Sequence, residues 1–219
     1  MPTPTATSCH AVPTAAPAKG SPKLDLVGSP NGGKTSVFNQ LTGLHAKTGN
    51  YPGVTVSRST GVCRIGKDEY GIEDLPGAYS LTPISPDEAV VAEALDGSLE
   101  NVQAPDAVLV VTDATALRRS LLLLAETLER KLPTAVIVTM TDELRRRGGS
   151  LDITALSQAL GVPVVSVIAN RGIGIGELRH LISEWQTWSR PPVSPPTAAD
   201  ELAGWVDSVP VSYTHLTLP

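Results

Sequence analysis

The stretch VGSPNGGKTS, residues 27–36, places three glycines and a lysine between an apolar run and a helical pattern. The spacing Gly28-x-x-x-x-Gly33-Lys34-Thr35 is that of a phosphate-cradling loop. Glycines let backbone N–H groups curl around phosphate oxygens, and a following helix start adds about half a positive charge. Lys34 is expected to reach the β- and γ-phosphates and the Thr35 hydroxyl to coordinate Mg²⁺. Gly28, Asn31, Gly32, Gly33 and Ser36 complete the nucleotide-contacting stretch. The other reading of such a segment is a plain glycine-rich turn, and its context, strand before and helix after, decides against it.

Further along the chain, three segments could supply what a phosphate loop lacks. Asp74-Leu-Pro-Gly77 follows an apolar strand about 40 residues after Lys34. Asp74 can hold magnesium through water, and Gly77 offers a backbone N–H to a γ-phosphate. Thr55, in GNYPGVTV, lies where a segment ordered by that phosphate could bring a hydroxyl onto the metal. VTMTD ends in Asp142, whose carboxylate can accept from both N1–H and the 2-amino group of guanine. Adenine has no proton on N1 and no 2-amino group, so this residue favours GTP over ATP. Thr139 and Met140 belong to the same base-contacting turn, and Ala169-Asn170 to a last loop that meets the base largely through backbone N–H.

These segments require a framework that brings them to one edge. From Lys23 onward short apolar runs alternate with amphipathic segments, which implies a mostly parallel sheet with helices on both faces. Helices are expected at 34–42, 86–96, 117–130, 142–160 (short pieces) and 174–187. Leu117, Leu121, Leu124 and Leu128 form a core-facing stripe, and Ser85-Pro86-Asp87-Glu88 reads as a capped helix start. GVTVSRSTGVCRI, the turn GKDE and EYGIEDL read as a β-hairpin, so one strand should be antiparallel in a sheet of six.

Composition limits the rest. A net charge of −5 and a 41% apolar content describe a soluble globular chain with no general attraction for nucleic acid or an anionic membrane. Only Cys9 and Cys63 are present, which argues against a disulfide framework or structural zinc and for a reducing, cytoplasmic setting. Cys9-His10 falls in a tail and is read as no metal site. No run approaches the ~20 apolar residues that span a bilayer. Residues 1–22 read as a Pro/Ala/Thr-rich disordered leader, 189–209 as a linker and the start of a truncated helical domain, and 210–219 as a non-native or truncated tail. The basic run at 144–149 reads as a solvated helix end, and Trp185 and Trp188 as packing residues.

Taken in order, these segments match the guanine-nucleotide motifs of small G domains. The phrases GSPNGGKTSVFNQLTG, GNYPGVTV and DLPGAYSLTPIS resemble the N-terminal GTPase domain of the ferrous iron transport protein B family over residues 23–188. The resemblance implies a Ras-like α/β fold of the P-loop class, GTP and GDP as ligands with Mg²⁺ at Thr35, Thr55 and Asp74, and GTP hydrolysis assisted by Lys34, Thr55 and Gly77. It further implies K⁺ held by Asn31, where other systems insert an arginine finger. In that family the domain lies on the cytoplasmic face of a bacterial inner or plasma membrane and regulates a membrane portion that moves Fe²⁺; that portion is absent from this chain. A homo-oligomer is compatible with the sequence.

Two departures stand out. Thr139 occupies a position that usually carries Asn, substituting one hydroxyl for an amide, which bears on guanine affinity. Ala78 replaces the glutamine with which Ras-like enzymes orient water, so unassisted hydrolysis is expected to be slow. Two rival readings are a ribosome- or tRNA-associated Era-like GTPase, which should carry an RNA-binding domain, and a non-catalytic guanine-nucleotide-binding fragment.

Overall fold

In a computed structural model of the chain, residues 17–188 and 211–212 are described. Cys9-His10, the linker at 189–209 and most of the segments read as leader and C-terminal tail lie outside them.

Hydrophobic alternation divides the central strands between two cores. In β1 (Lys23–Gly28), Leu24 and Leu26 face one side and Val27 the other. In β5 (Ala107–Asp113), Val108 and Val110 point one way and Leu109 and Val111 the other. In β6 (Thr134–Thr139), Val136 and Val138 oppose Ala135 and Ile137. Strands apolar on both faces need cover on both. On one face it comes from α1 (Lys34–Thr42) and α6 (Ile175–Ser183). On the other it comes from α2 (Pro86–Asp96), α3 (Leu117–Glu129) and α5 (Ile153–Leu160). The four leucines of the α3 stripe are all buried.

The principal sheet has seven strands rather than six, in the order β2-β3-β4-β1-β5-β6-β8. The additional strand is β2 (Ala46–Asn50), antiparallel to β3 (Ser57–Ile65). Four of its five residues are exposed, so it has no buried face from which alternation could arise. The expected hairpin forms between β3 and β4 (Asp68–Asp74), and β3 alone runs against the remaining strands. β4, β1, β5, β6 and β8 (Val164–Ser166) are parallel neighbours. Their carboxyl ends therefore open on one edge, where ligands of such sheets bind.

Smaller pieces complete the frame. α4 (Thr141–Arg146) follows β6 directly. The two-residue β7 (Ser150–Leu151) pairs with β9 (Val211–Ser212), which lies in the segment read as a tail. Of the segment read as a leader, Pro22 accepts at 2.8 Å from Gly71 N–H, and Ala18 N–H donates to Glu69. Trp188 is buried, its indole donating to the Leu181 carbonyl at 3.1 Å. The basic run at the end of α4 is paired with Glu143 through Arg146 and Arg147, at 2.6 and 2.7 Å. No helix of the described residues is long and apolar enough to cross a membrane.

Candidate nucleotide site

The β1–α1 loop turns on left-handed backbone at two adjacent places. Asn31 has φ 62° and Gly33, the residue capping α1, has φ 86°. A non-glycine in that region costs about 1 kcal/mol, and such residues cluster where the chain is shaped for a ligand. The loop lines a cleft of about 600 Å³ together with Gly77 and Met140. Pro30 and Asp87 also line it; sequence reasoning missed both, although the proline lay inside the glycine motif and Asp87 inside the helix-start signal.

Below the loop, residues from two segments, the start of α1 and the end of β4, converge. Lys34 Nζ donates to Asp74 Oδ1 and to the Leu75 carbonyl, and the Thr35 hydroxyl donates to Asp74 Oδ2 at 2.9 Å. Lys34 and Asp74 are buried, so the pair is shielded from the screening that weakens surface ion pairs. Thr35 and Asp74 offer a hydroxyl and a carboxylate side by side, hard oxygen donors of the type Mg²⁺ takes with only one or two protein carboxylates. Among the described residues there is no cluster of three or more His, Cys, Asp or Glu able to hold a metal by itself.

Gly77 packs directly against the phosphate loop: a methyl group built on it would lie 2.8 Å from Pro30 Cγ and 3.0 Å from Pro30 Cα. The next residue, Ala78, donates from its N–H to the Gly28 carbonyl at 3.2 Å and is buried. Two carboxylates then hold the following segment. Glu88 accepts from Tyr79 N–H and Ile84 N–H at 3.3 and 3.1 Å. Glu126 of α3 accepts from the Leu81 N–H and, at 2.9 Å, from the Ser80 hydroxyl. Ser85 caps α2 through the Glu88 N–H as its motif implies.

A second cavity of about 300 Å³ adjoins the first and shares Gly33, Ser36 and Met140 with it. Thr139, Asp142, Ala169 and Asn170 line it, with Glu143, Arg146 and Ile168 beside them. The turn from β6 into α4 passes through Met140 at φ 55°, which throws Asp142 into the first turn of the helix. Asp142 Oδ2 is approached by Arg146 at 3.5 Å and Arg171 at 3.9 Å. Thr139 is buried, its hydroxyl 2.7 Å from the Gly32 carbonyl.

Gly28, Gly32 and Asp74 do not line either cavity but belong to the loop or contact it, whereas Thr55 stands apart. It is exposed in the turn between β2 and β3, and neither cavity includes it. The roots of that turn are fixed by a buried charge cluster at the adjoining strands. Tyr51 donates to Glu73 at 2.7 Å, and Arg58 grips both Glu73 oxygens at 2.8 and 3.0 Å. Lys23 Nζ lies 3.0 Å from Glu73 and 3.1 Å from Asp25. Burial alone would raise the Glu73 pKa, but Arg58, Lys23 and Tyr51 together hold it below the ordinary value. Burial dominates at Asp25, whose pKa is pushed up to about 7 against the pull of Lys23.

A parallel sheet whose carboxyl edge gathers a phosphate loop, an Asp-x-x-Gly turn and a Thr-x-x-Asp turn defines a Ras-like G domain. The family model described as ferrous iron transport protein B matches residues 23–182, and the chain belongs to that family. It is 42% identical over 165 residues to the Fe(2+) transporter FeoB of Leptospira biflexa, covering 75% of this chain and 23% of that protein. It is 41% identical over 156 residues to a Fe(2+) transport protein A/FeoB fusion of Porphyromonas gingivalis, covering 71% of this chain and 18% of the fusion. The chain thus spans about a quarter or less of these relatives. Among solved structures, the apo cytosolic domain of T. maritima FeoB superposes with TM-score 0.74 at 35% identity, covering 80% of this chain and 68% of that one. A GDP-bound mutant of S. thermophilus NFeoB gives 0.70 at 36% identity, over 80% and 65%. The isolated G domain of T. maritima FeoB is covered over 99% of its length by 76% of this chain, with TM-score 0.68 and 37% identity.

Proposed function

We propose that this domain binds GTP and GDP with Mg²⁺, hydrolyses GTP slowly, and serves as the cytoplasmic switch domain of a ferrous iron transporter. The observation that carries the reading is the convergence of Lys34, Thr35 and Asp74 beneath a loop that opens into the cavity bearing Asp142. The relatives named as Fe(2+) transporters and the GDP-bound neighbour support it.

In this reading the loop N–H groups and Lys34 receive the phosphates, while Asp142 accepts from N1–H and the 2-amino group of guanine. Thr35 and Asp74 would hold Mg²⁺, which supplies charge neutralisation across the β- and γ-phosphates when bound. Lys34 must then exchange part of its present contact with Asp74 for phosphate oxygens. Water attacks the γ-phosphorus in line with the leaving oxygen, and catalysis is by position and charge rather than through a covalent intermediate. Ala78 has no group with which to orient that water, so the unassisted rate is low. Asn31, exposed on the cleft wall with a carbamoyl oxygen, would hold K⁺ where added positive charge stabilises the transition state. Thr55 would be a further Mg²⁺ ligand once a γ-phosphate orders its turn, and the segment would then report the state of the nucleotide.

The test is titration of the purified chain with GDP and ADP, followed by single-turnover phosphate release from GTP in KCl and in NaCl. GDP binding that excludes ADP, with faster release in KCl, is expected. Equal affinity for the two nucleotides refutes the guanine assignment, and equal rates in the two salts refute the role of Asn31.

A further inference from the structure

The usual reading of Thr139 follows its position in the base-contacting turn, but its hydrogen bonds have another destination. The hydroxyl lies 2.7 Å from the Gly32 carbonyl and 3.1 Å from the Thr112 carbonyl at the end of β5. A threonine hydroxyl carries one proton, and both partners are acceptors without one. The proton is therefore shared between two backbone oxygens. The residue is 3% exposed, and a methyl group built on Gly33 would stand 3.3 Å from its Cγ2 and 3.4 Å from its Oγ1. The phosphate loop rests on this side chain.

The N7 and O6 edge of guanine presents acceptors only. A hydroxyl whose proton is already engaged can turn only lone pairs toward that edge, and lone pair against lone pair makes no bond. We infer that Thr139 is a positioning residue for the phosphate loop, tying Gly32 to the end of β5, and that it does not read the base. Base recognition then falls to the Asp142 carboxylate and the backbone N–H groups of the loop at 168–170, and N7 goes unread. This inference rests on the guanine reading of the cleft proposed above.

The test uses the full 219-residue chain and calorimetric titration with GDP and with 7-deaza-GDP, in which a C–H replaces N7. Wild-type protein is expected to bind the two within about twofold. Thr139→Val, which keeps the shape and removes the hydroxyl, should weaken GDP about five- to thirtyfold, the scale of one lost hydrogen bond that leaves a buried carbonyl unpaired. Thr139→Ser should restore binding to within about threefold of wild type, because only the proton matters. A loss of tenfold or more on 7-deaza-GDP, with GDP binding intact, overturns the inference and leaves the guanine reading standing. Wild-type affinity in Thr139→Val, or no rescue by Ser, overturns the tether. Failure of the wild-type chain to bind GDP removes the guanine reading and the inference together. The 7-deaza comparison needs no variant and holds even where Thr139→Val fails to fold.

Discussion

Gly77→Ala is the substitution most directly dictated by the geometry. The added methyl would meet Pro30 Cγ at 2.8 Å and the Pro30 Cα and N at 3.0 Å each. Carbon atoms are comfortable at about 3.5–4.0 Å, so some part of the contact must open by roughly 0.5–1 Å. Neither side yields easily. The proline ring is stiff and two of the three atoms met are backbone, while Gly77 is held by the Ala78 bond to Gly28. Overpacking of this kind costs about 1–3 kcal/mol. On the reading proposed above, most of it should appear where phosphate groups bind, because what moves is either the β1–α1 loop or the Gly77 N–H that would meet the γ-phosphate. We therefore expect single-turnover GTP hydrolysis to fall about 5- to 150-fold, 1.4 kcal/mol being a factor of ten. GTP-analogue affinity should fall more than GDP affinity. A partner substitution isolates the cause: Pro30→Gly removes the ring, and the double variant should regain a substantial part of the loss, with a coupling energy of at least 0.5 kcal/mol. Hydrolysis within twofold of wild type in Gly77→Ala would refute the reasoning, as would strict additivity in the double variant.

Four other substitutions address the framework. Asp25 has its pKa raised from 3.8 to about 7, chiefly by burial. The folded state therefore holds its proton more tightly than the unfolded chain, and this contribution is complete below pH 3.8 and is lost as pH rises through about 7. Urea denaturation should show stability declining between pH 5 and 7, and Asp25→Asn should flatten that slope while stabilising more at pH 8 than at pH 5; an unchanged slope refutes it. Glu73, with its pKa lowered, loses its contribution only as pH falls below the ordinary carboxylate range, outside this window. Tyr51→Phe removes one of the donors on Glu73 and should cost about 1–2 kcal/mol. Glu73→Ala, which strands Lys23 and Arg58, should cost about 3–5 kcal/mol, and equal costs from urea midpoints would contradict the cluster. Glu126→Ala should cost about 1–2 kcal/mol and speed amide exchange at Leu81, whose N–H it accepts; unchanged exchange there would show that Glu126 does not hold the segment.

The framework of this domain was largely legible because its signals are local. The α3 stripe, the Ser85 cap and the apolar runs of β1, β5 and β6 each repeat within a few residues, and burial on two faces follows from them. β2 was not legible, since Ala-Lys-Thr-Gly-Asn carries no apolar period and pairs only by backbone along an exposed edge. Glu88 shows a subtler limit. Its place three residues after Ser85 suggests a reciprocal cap, yet its carboxylate serves Tyr79 and Ile84 instead, because the chain after Gly77 returns over the helix start. Thr139 shows the same limit at the site. Its place in the turn from β6 into α4 follows from the sequence, while a bond to a carbonyl 107 residues away does not.

The buried cluster was invisible for a related reason, and it bears on how the site is built. Lys23 and Asp25 belong to β1, Glu73 to β4, and Tyr51 and Arg58 bracket the turn that carries Thr55. Each is an ordinary polar residue in sequence. Together they fasten both ends of that turn to the residue immediately before Asp74, while Tyr51 N–H closes the turn on the Val56 carbonyl at 3.0 Å. Thr55 therefore sits at the exposed tip of a short segment whose roots are bonded to Glu73, the β4 neighbour of Asp74, which is the magnesium-binding aspartate of our reading. A displacement of the tip can leave the roots in place, because their hydrogen bonds run to Glu73 and not to the loop. If Tyr51→Phe loosens those roots, the change should be felt at Thr55 more than at Lys34 or Thr35, which are tied to Asp74 from the other side of the strand.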